Sequence, residues 1–260
     1  MRFQRSSGGL WEMPALAPGL QMYSVRSAAQ TDFLGTLKKI ADMGYKMVEF
    51  FGYGGLPAAE LKKALKALGL TAVSTYVSPE DLEHDLKNQI DYAQKLGLRY
   101  IVTGFPKERF DDPSKFPELV SSLQKYGREM KKYGIQLLYH AHEHEYVIKD
   151  GHKIIDKLLA AVGTDVMKLA VDLYWVKKAG LDPKGTLLAY KGMVPLIHVK
   201  DMDTGGGFTE VGRGTIDWPS IFGILKATGV KYYFVEQDES AHPLESAQMS
   251  LEYLKSIGVA

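Results

Sequence analysis

From Gly19 onward the chain repeats one unit: a helical stripe stops at a glycine, and a short β-branched or aromatic run starts at once. The instances read MGYKMVEFF from Met43, LGLTAVSTYV from Leu68, LGLRYIVTG from Leu96, YGIQLLYHAH from Tyr133 and TGVKYYFVE from Thr228. Weaker copies are Gly163 before VMKLAVDL and Gly192 before VPLIHVK. Glycine stops a helix because it takes the left-handed conformation without a Cβ penalty. A run apolar at nearly every position fits a parallel strand buried on both faces.

The punctuating glycines (Gly44, Gly69, Gly97, Gly134, Gly163, Gly192, Gly229 and Gly258) lie 25 to 37 residues apart. Each interval holds one helix and one strand. Leu34, Leu37, Ile40 and Ala41 make one helical stripe, and Leu61, Ala64, Leu65 and Leu68 another. Leu82, Leu86, Ile90 and Ala93 make a third, after the start signal Ser78-Pro79-Glu80-Asp81. With GLQMYS (19–24) as the first strand, eight strands alternate with eight helices, which predicts an α/β chain folded as a single (β/α)8 TIM barrel over residues 17–260. The rival is an open doubly wound sheet, but MYSVRSAAQ follows the first strand where that fold carries a Gly-rich phosphate turn. Residues 1–16 show neither helical nor strand period and read as an N-terminal tail or arm.

Lys plus Arg (32) nearly cancels Asp plus Glu (31), and a net charge of +1 argues against a nucleic-acid or anionic-membrane surface. No apolar run approaches the roughly 20 residues of a membrane span. The chain has no cysteine, so disulfides, thiolate metal sites and cysteine nucleophiles are excluded. The first residues lack the apolar stretch of a secretory signal. A cytoplasmic location is expected, or a periplasmic one if a leader has been removed.

In such a barrel the C-terminal strand ends and the loops after them build the active site. Strand two carries Glu49 there; strand five ends in His140, His142 and His144 with Glu143 and Glu145 interleaved. Strand six ends at Asp172, strand seven at His198 and strand eight at Glu236. Each follows an apolar stretch, where a carboxylate is costly to desolvate unless a cation or hydrogen bonds meet it. Carboxylates and an imidazole converging on one mouth predict a divalent metal ion, with Mn, Mg, Co and Zn all compatible. Three carboxylates leave such a site near −1, favouring a neutral polyhydroxy or carbonyl ligand. A metal there can bind vicinal oxygens and stabilise an enediolate while a carboxylate or His moves the proton.

Taken together, GLQMYSVR (19–26), VEFFGYGG (48–55), YHAHEHEY (139–146), AVDLYWV (170–176), IHVKD (197–201), VGRGTIDW (211–218) and FVEQD (234–238) resemble the blocks of the xylose-isomerase-like barrels, the sugar phosphate isomerase/epimerase group, in order. The resemblance spans residues 19 to 258 and implies one divalent metal held by Glu, Asp, His and Glu from strands five to eight. Carried over, the ligands are Glu145, Asp172, His198 and Glu236. Strand parity sets Glu145 on the face opposite His140, His142 and His144, so His140 stays the alternative first ligand. Ala141 stands where the motif commonly has Asn.

The resemblance implies a sugar isomerase or epimerase working on a keto sugar or cyclitol through a metal-stabilised enediolate, with Glu145 and Glu236 exchanging protons and His142 as base or substrate contact. The alternative is a dehydratase or lyase of a keto-inositol or 3-keto-glycoside at the same metal site; His in place of Glu in the exchanging pair would favour it. Substrate contacts are expected from Glu49, Tyr53, His140, Trp175, Lys200 and Arg213. Four of them have a plainer reading: loop cap for Glu49 and Tyr53, an ion pair with Asp201 for Lys200, packing for Trp175. The expected partner is a small carbohydrate, with no nucleic acid and no membrane; association into a homo-oligomer stays open.

Overall fold

The computed structural model describes residues 16–149 and 151–260. Eight parallel strands close into a barrel: β1 (Gly19–Gln21), β2 (Met47–Phe51), β3 (Thr71–Tyr76), β4 (Tyr100–Thr103), β5 (Gln136–His140), β6 (Met167–Asp172), β7 (Leu196–Val199) and β8 (Tyr232–Val235). Each pairs with its sequence neighbours, and β1 pairs with β8 to complete the ring. This is the single (β/α)8 barrel that the repeat predicts. The tail expected over 1–16 lies outside the described residues except for Leu16, which packs partly buried against the core.

The local signals work as read. Gly44 ends the helix Phe33–Met43 with φ 115°, its N–H returning to Ile40 and Ala41 carbonyls. All eight punctuating glycines have positive φ. Ser78 caps the helix Pro79–Leu96, its Oγ accepting from the Asp81 amide at 3.0 Å. Gly19 serves close approach: a Cβ there would lie 2.5 Å from the Phe234 ring on β8.

Two apolar layers result. The larger lies between strands and helices; the smaller plugs the barrel with Met47, Leu138, Ala170, Leu196 and Phe234 among its members. Two residues after each of these stands Glu49, His140, Asp172, His198 and Glu236 in turn. Side chains two apart on a strand share a face. The same inward parity that builds the plug therefore stacks a polar layer directly above it, at the C-terminal mouth.

Candidate metal and substrate site

Asp172 is the last residue of β6 and caps the following helix Leu173–Lys178; its Oδ1 accepts from the Tyr174 amide at 2.9 Å. His198 faces Asp172 across the β6–β7 register, His140 ends β5, and Glu236 directly follows β8. Potential ligand atoms of His140, Asp172 and His198 all lie within 4.8 Å of one another. Nδ1 of His198 is 3.1 Å from Nδ1 of His140 and 3.3 Å from Oε2 of Glu236. All four side chains are buried.

Burial, aided by the charges of His142, His198 and Lys200, pushes His140 well below the ordinary histidine range and keeps it neutral. Burial also acts to lower His198, but the carboxylates of Glu236, Glu49 and Asp172 outweigh it and hold that ring up at about 9. Burial raises Glu236 to about 7 against the pull of Lys200 and His198. Lys200, wholly buried, would be lowered by desolvation. Asp172, Glu236 and Asp238 instead hold its ammonium well above the usual lysine value, with Nζ 2.7, 3.2 and 2.8 Å from their oxygens.

A divalent ion fits these residues. Oδ2 of Asp172 and Oε2 of Glu236 are buried without an aligned hydrogen-bond donor, Lys200 approaching both off the hydrogen-bonding direction. Two nitrogens on one zinc, each at about 2.0–2.1 Å, lie roughly 2.8–3.4 Å apart at octahedral to tetrahedral angles, a range that contains the 3.1 Å of the imidazole pair. Two imidazoles and two carboxylates make a mixed nitrogen and oxygen set.

The cluster opens into a cavity of about 250 Å³. His142, Trp175 and Lys200 form one wall, with His142 edge-on to Trp175 at 5.3 Å. The other wall is aromatic: Tyr76 meets His140, Phe51 meets Tyr76, and Tyr23 meets Phe51 at centroid distances of 6.2, 6.0 and 4.8 Å.

The remaining expected site residues fall elsewhere. β5 ends at His140 and the chain turns into a short helix, Glu143–Tyr146, so strand alternation stops before Glu145. Glu145 is fully buried behind the cavity, accepting from the Tyr139 hydroxyl at 2.6 Å and the His142 amide at 2.8 Å, and it groups with His142 and His144. Glu49 lies beneath His198 and not in the cavity wall. Tyr53 stacks on Tyr92 at 3.9 Å, and Arg213, 64% exposed, points toward Glu210; neither lines the cavity. Asp201 does not pair with Lys200: it accepts from the Gly212, Gly214 and Ile216 amides and from Trp218 Nε1, tying down the loop after β7. Sequence reasoning missed Gln21, Tyr23, Phe51, Tyr76 and Asp238 as wall residues. Aromatic strand residues read as core, and only the 47% exposure of Phe51 separates it from packing.

Residues 37–257 match the family described as xylose isomerase-like TIM barrel. The chain belongs to this family. Among its relatives, an inosose dehydratase of Clostridium botulinum is 25% identical, over 87% of this chain and 90% of its own length. A sugar phosphate isomerase/epimerase from Parabacteroides distasonis superposes with a TM-score of 0.81 at 21% identity, covering 98% of this chain and 99% of that one. The IOLI protein with a bound zinc atom superposes with a TM-score of 0.75 at 13% identity, covering 93% and 97%. Isomerase/epimerase and dehydratase are thus both names borne by proteins like this chain. No helix among the described residues is long and apolar enough to cross a membrane.

Proposed function

We propose that residues 17–260 form a divalent-metal-dependent catalytic barrel that dehydrates a keto sugar or keto-cyclitol, with His140, Asp172, His198 and Glu236 as the metal ligands. The observation that carries the choice of reaction is Glu145. Exchange of a proton between two carboxylates requires both in the cavity, and Glu145 spends its two oxygens on Tyr139 and His142 outside it. At the end of β5 an imidazole, His140, faces the cavity in place of the second carboxylate of such a pair, across the mouth from Glu236. The similarity to an inosose dehydratase supports the same choice.

When bound, the metal supplies Lewis acidity toward the carbonyl. The chain's own groups do the rest. Lys200, cationic and facing the cavity, donates to a substrate oxygen on which negative charge develops. His142 is kept neutral by burial and is free of the metal cluster, so it accepts the C–H proton next to the carbonyl. The electron pair of that C–H bond becomes the carbon–carbon double bond as the β C–O bond breaks. The departing hydroxyl takes up the proton that His142 removed, which returns that imidazole to its neutral form, and the balance is loss of one water. Trp175 and the aromatic wall offer apolar ring faces and exclude solvent.

Incubation with an inosose in deuterated water, followed by mass spectrometry, tests this reading. A product lighter by one water, absent with Asp172→Ala, is expected. The epimerase reading is favoured by one observation, that His142 after β5 and Glu236 after β8 approach the cavity from opposite sides; it predicts unchanged skeletal mass with one deuterium incorporated.

A further inference from the structure

We infer that Glu49 is a positioning residue that fixes the tautomer of His198, so that Nδ1 presents its lone pair to the metal position. The inference rests on the metal reading above. Glu49 is fully buried, one of the most costly places for a carboxylate, and it does not border the cavity. Three side chains converge on it. Gln21 donates from Nε2 to Oε1, the Ser74 hydroxyl donates to Oε2, and Nε2 of His198 lies 2.6 Å from Oε1.

The barrel arranges this meeting deliberately in its register. Gln21 of β1 is the direct partner of Glu49, while the β2–β3 ladder steps from Val48↔Ala72 to Glu49↔Ser74, passing over Val73. This irregularity sets Ser74 beside Glu49 on the inward face. The amide nitrogen of Gln21 can only donate, so Oε1 is an acceptor, and the partner it calls for on His198 is an N–H at Nε2. Once Nε2 carries that proton, a neutral His198 keeps its lone pair on Nδ1, which faces His140 Nδ1 and Glu236 Oε2. Carboxylate, imidazole and metal then lie in series, an arrangement in which loss of the outer group typically weakens metal binding about 10–100-fold.

Co²⁺ titration followed by its visible absorption provides the test, applied to wild type, Glu49→Gln and Glu49→Leu, with thermal unfolding of each. Gln keeps an acceptor oxygen for His198 and turns its amide toward the Ser74 oxygen; Leu keeps neither. The expected result is about 10–100-fold weaker Co²⁺ binding in Glu49→Leu, largely restored in Glu49→Gln. Equal loss in both variants would overturn the tautomer role in favour of charge alone. Unchanged affinity in both, with only the unfolding midpoint lowered, would overturn it in favour of a purely structural role. If Glu49→Leu does not fold, ¹⁵N–¹H histidine spectra of the zinc-loaded wild type decide: Nε2–H on His198 is expected, and Nδ1–H refutes the inference. Wild type that takes up neither Co²⁺ nor Zn²⁺ would remove the metal reading itself, a failure separate from the variant outcomes.

Discussion

Nδ1 of His198 and Nδ1 of His140 face each other at 3.1 Å inside the barrel mouth. Between two ring nitrogens at that separation there is room for one proton or one metal ion, never for two protons. The pair comes from β5 and β7, with Asp172 of β6 between them in the ring. Each side of this contact has a consequence that can be measured.

The first concerns metal content. After saturation and removal of excess ion, elemental analysis should give about one divalent ion per chain, lost in Asp172→Ala and in His140→Ala. Glu145→Gln should keep its ion, because that carboxylate serves Tyr139 and His142. Its cost should appear in unfolding instead, at about 1–3 kcal/mol for disturbing a buried hydrogen-bonded carboxylate. Loss of the ion in Glu145→Gln with unchanged stability would return Glu145 to the ligand set.

The second is pH dependence. His198 in the metal-free protein is held at about 9, above its ordinary 6.5. Its contribution to stability is fully present below 6.5 and is lost as pH rises toward 9. His140 has the opposite sign: lowered by burial, it contributes above 6.5 and that contribution is lost as pH falls. An ion on Nδ1 of His198 must displace a proton, so metal affinity should climb with pH until about 9 and then level. Calorimetry in buffers of different ionisation enthalpy reads the released proton directly.

Lys200 yields a prediction of unusual sign. Its ammonium sits among Asp172, Glu236 and Asp238, competing with any cation for two of those carboxylates. Lys200→Met should therefore hold metal at least as tightly as wild type. Turnover should fall about 10²–10³-fold, the usual effect of losing one donor to developing charge. Weakened metal binding together with normal turnover would contradict both halves.

Phe51, 47% exposed at the cavity edge, should matter for ligand and little for folding. Phe51→Ala is expected to leave stability within about 0.5 kcal/mol while weakening a bound sugar or cyclitol roughly two- to tenfold, the worth of one aromatic contact. Arg213→Ala, altering a side chain that is 64% exposed and outside the cavity, should change neither quantity. Ligand titration of the two variants side by side separates wall from surface.

The sequence by itself determined the barrel and most of its polar mouth. Both are local patterns: a glycine that stops each helix, an apolar run that needs cover on two faces, and a polar residue two positions past a plug residue on the same strand. Asp172, His198 and Glu236 were legible for that reason. Tertiary structure alone brought His140 into the cluster at the mouth and set Glu145 behind the cavity, because alternation holds only while the strand lasts and β5 ends at His140. It alone turned Glu49 from a substrate contact into the partner of His198, a residue 149 positions away, through barrel closure and a one-residue step in register. It also exposed Phe51 while burying Phe50 beside it. Those outcomes depend on where strands stop and which of them meet around a ring, and neither is written in the periodicity of any one segment.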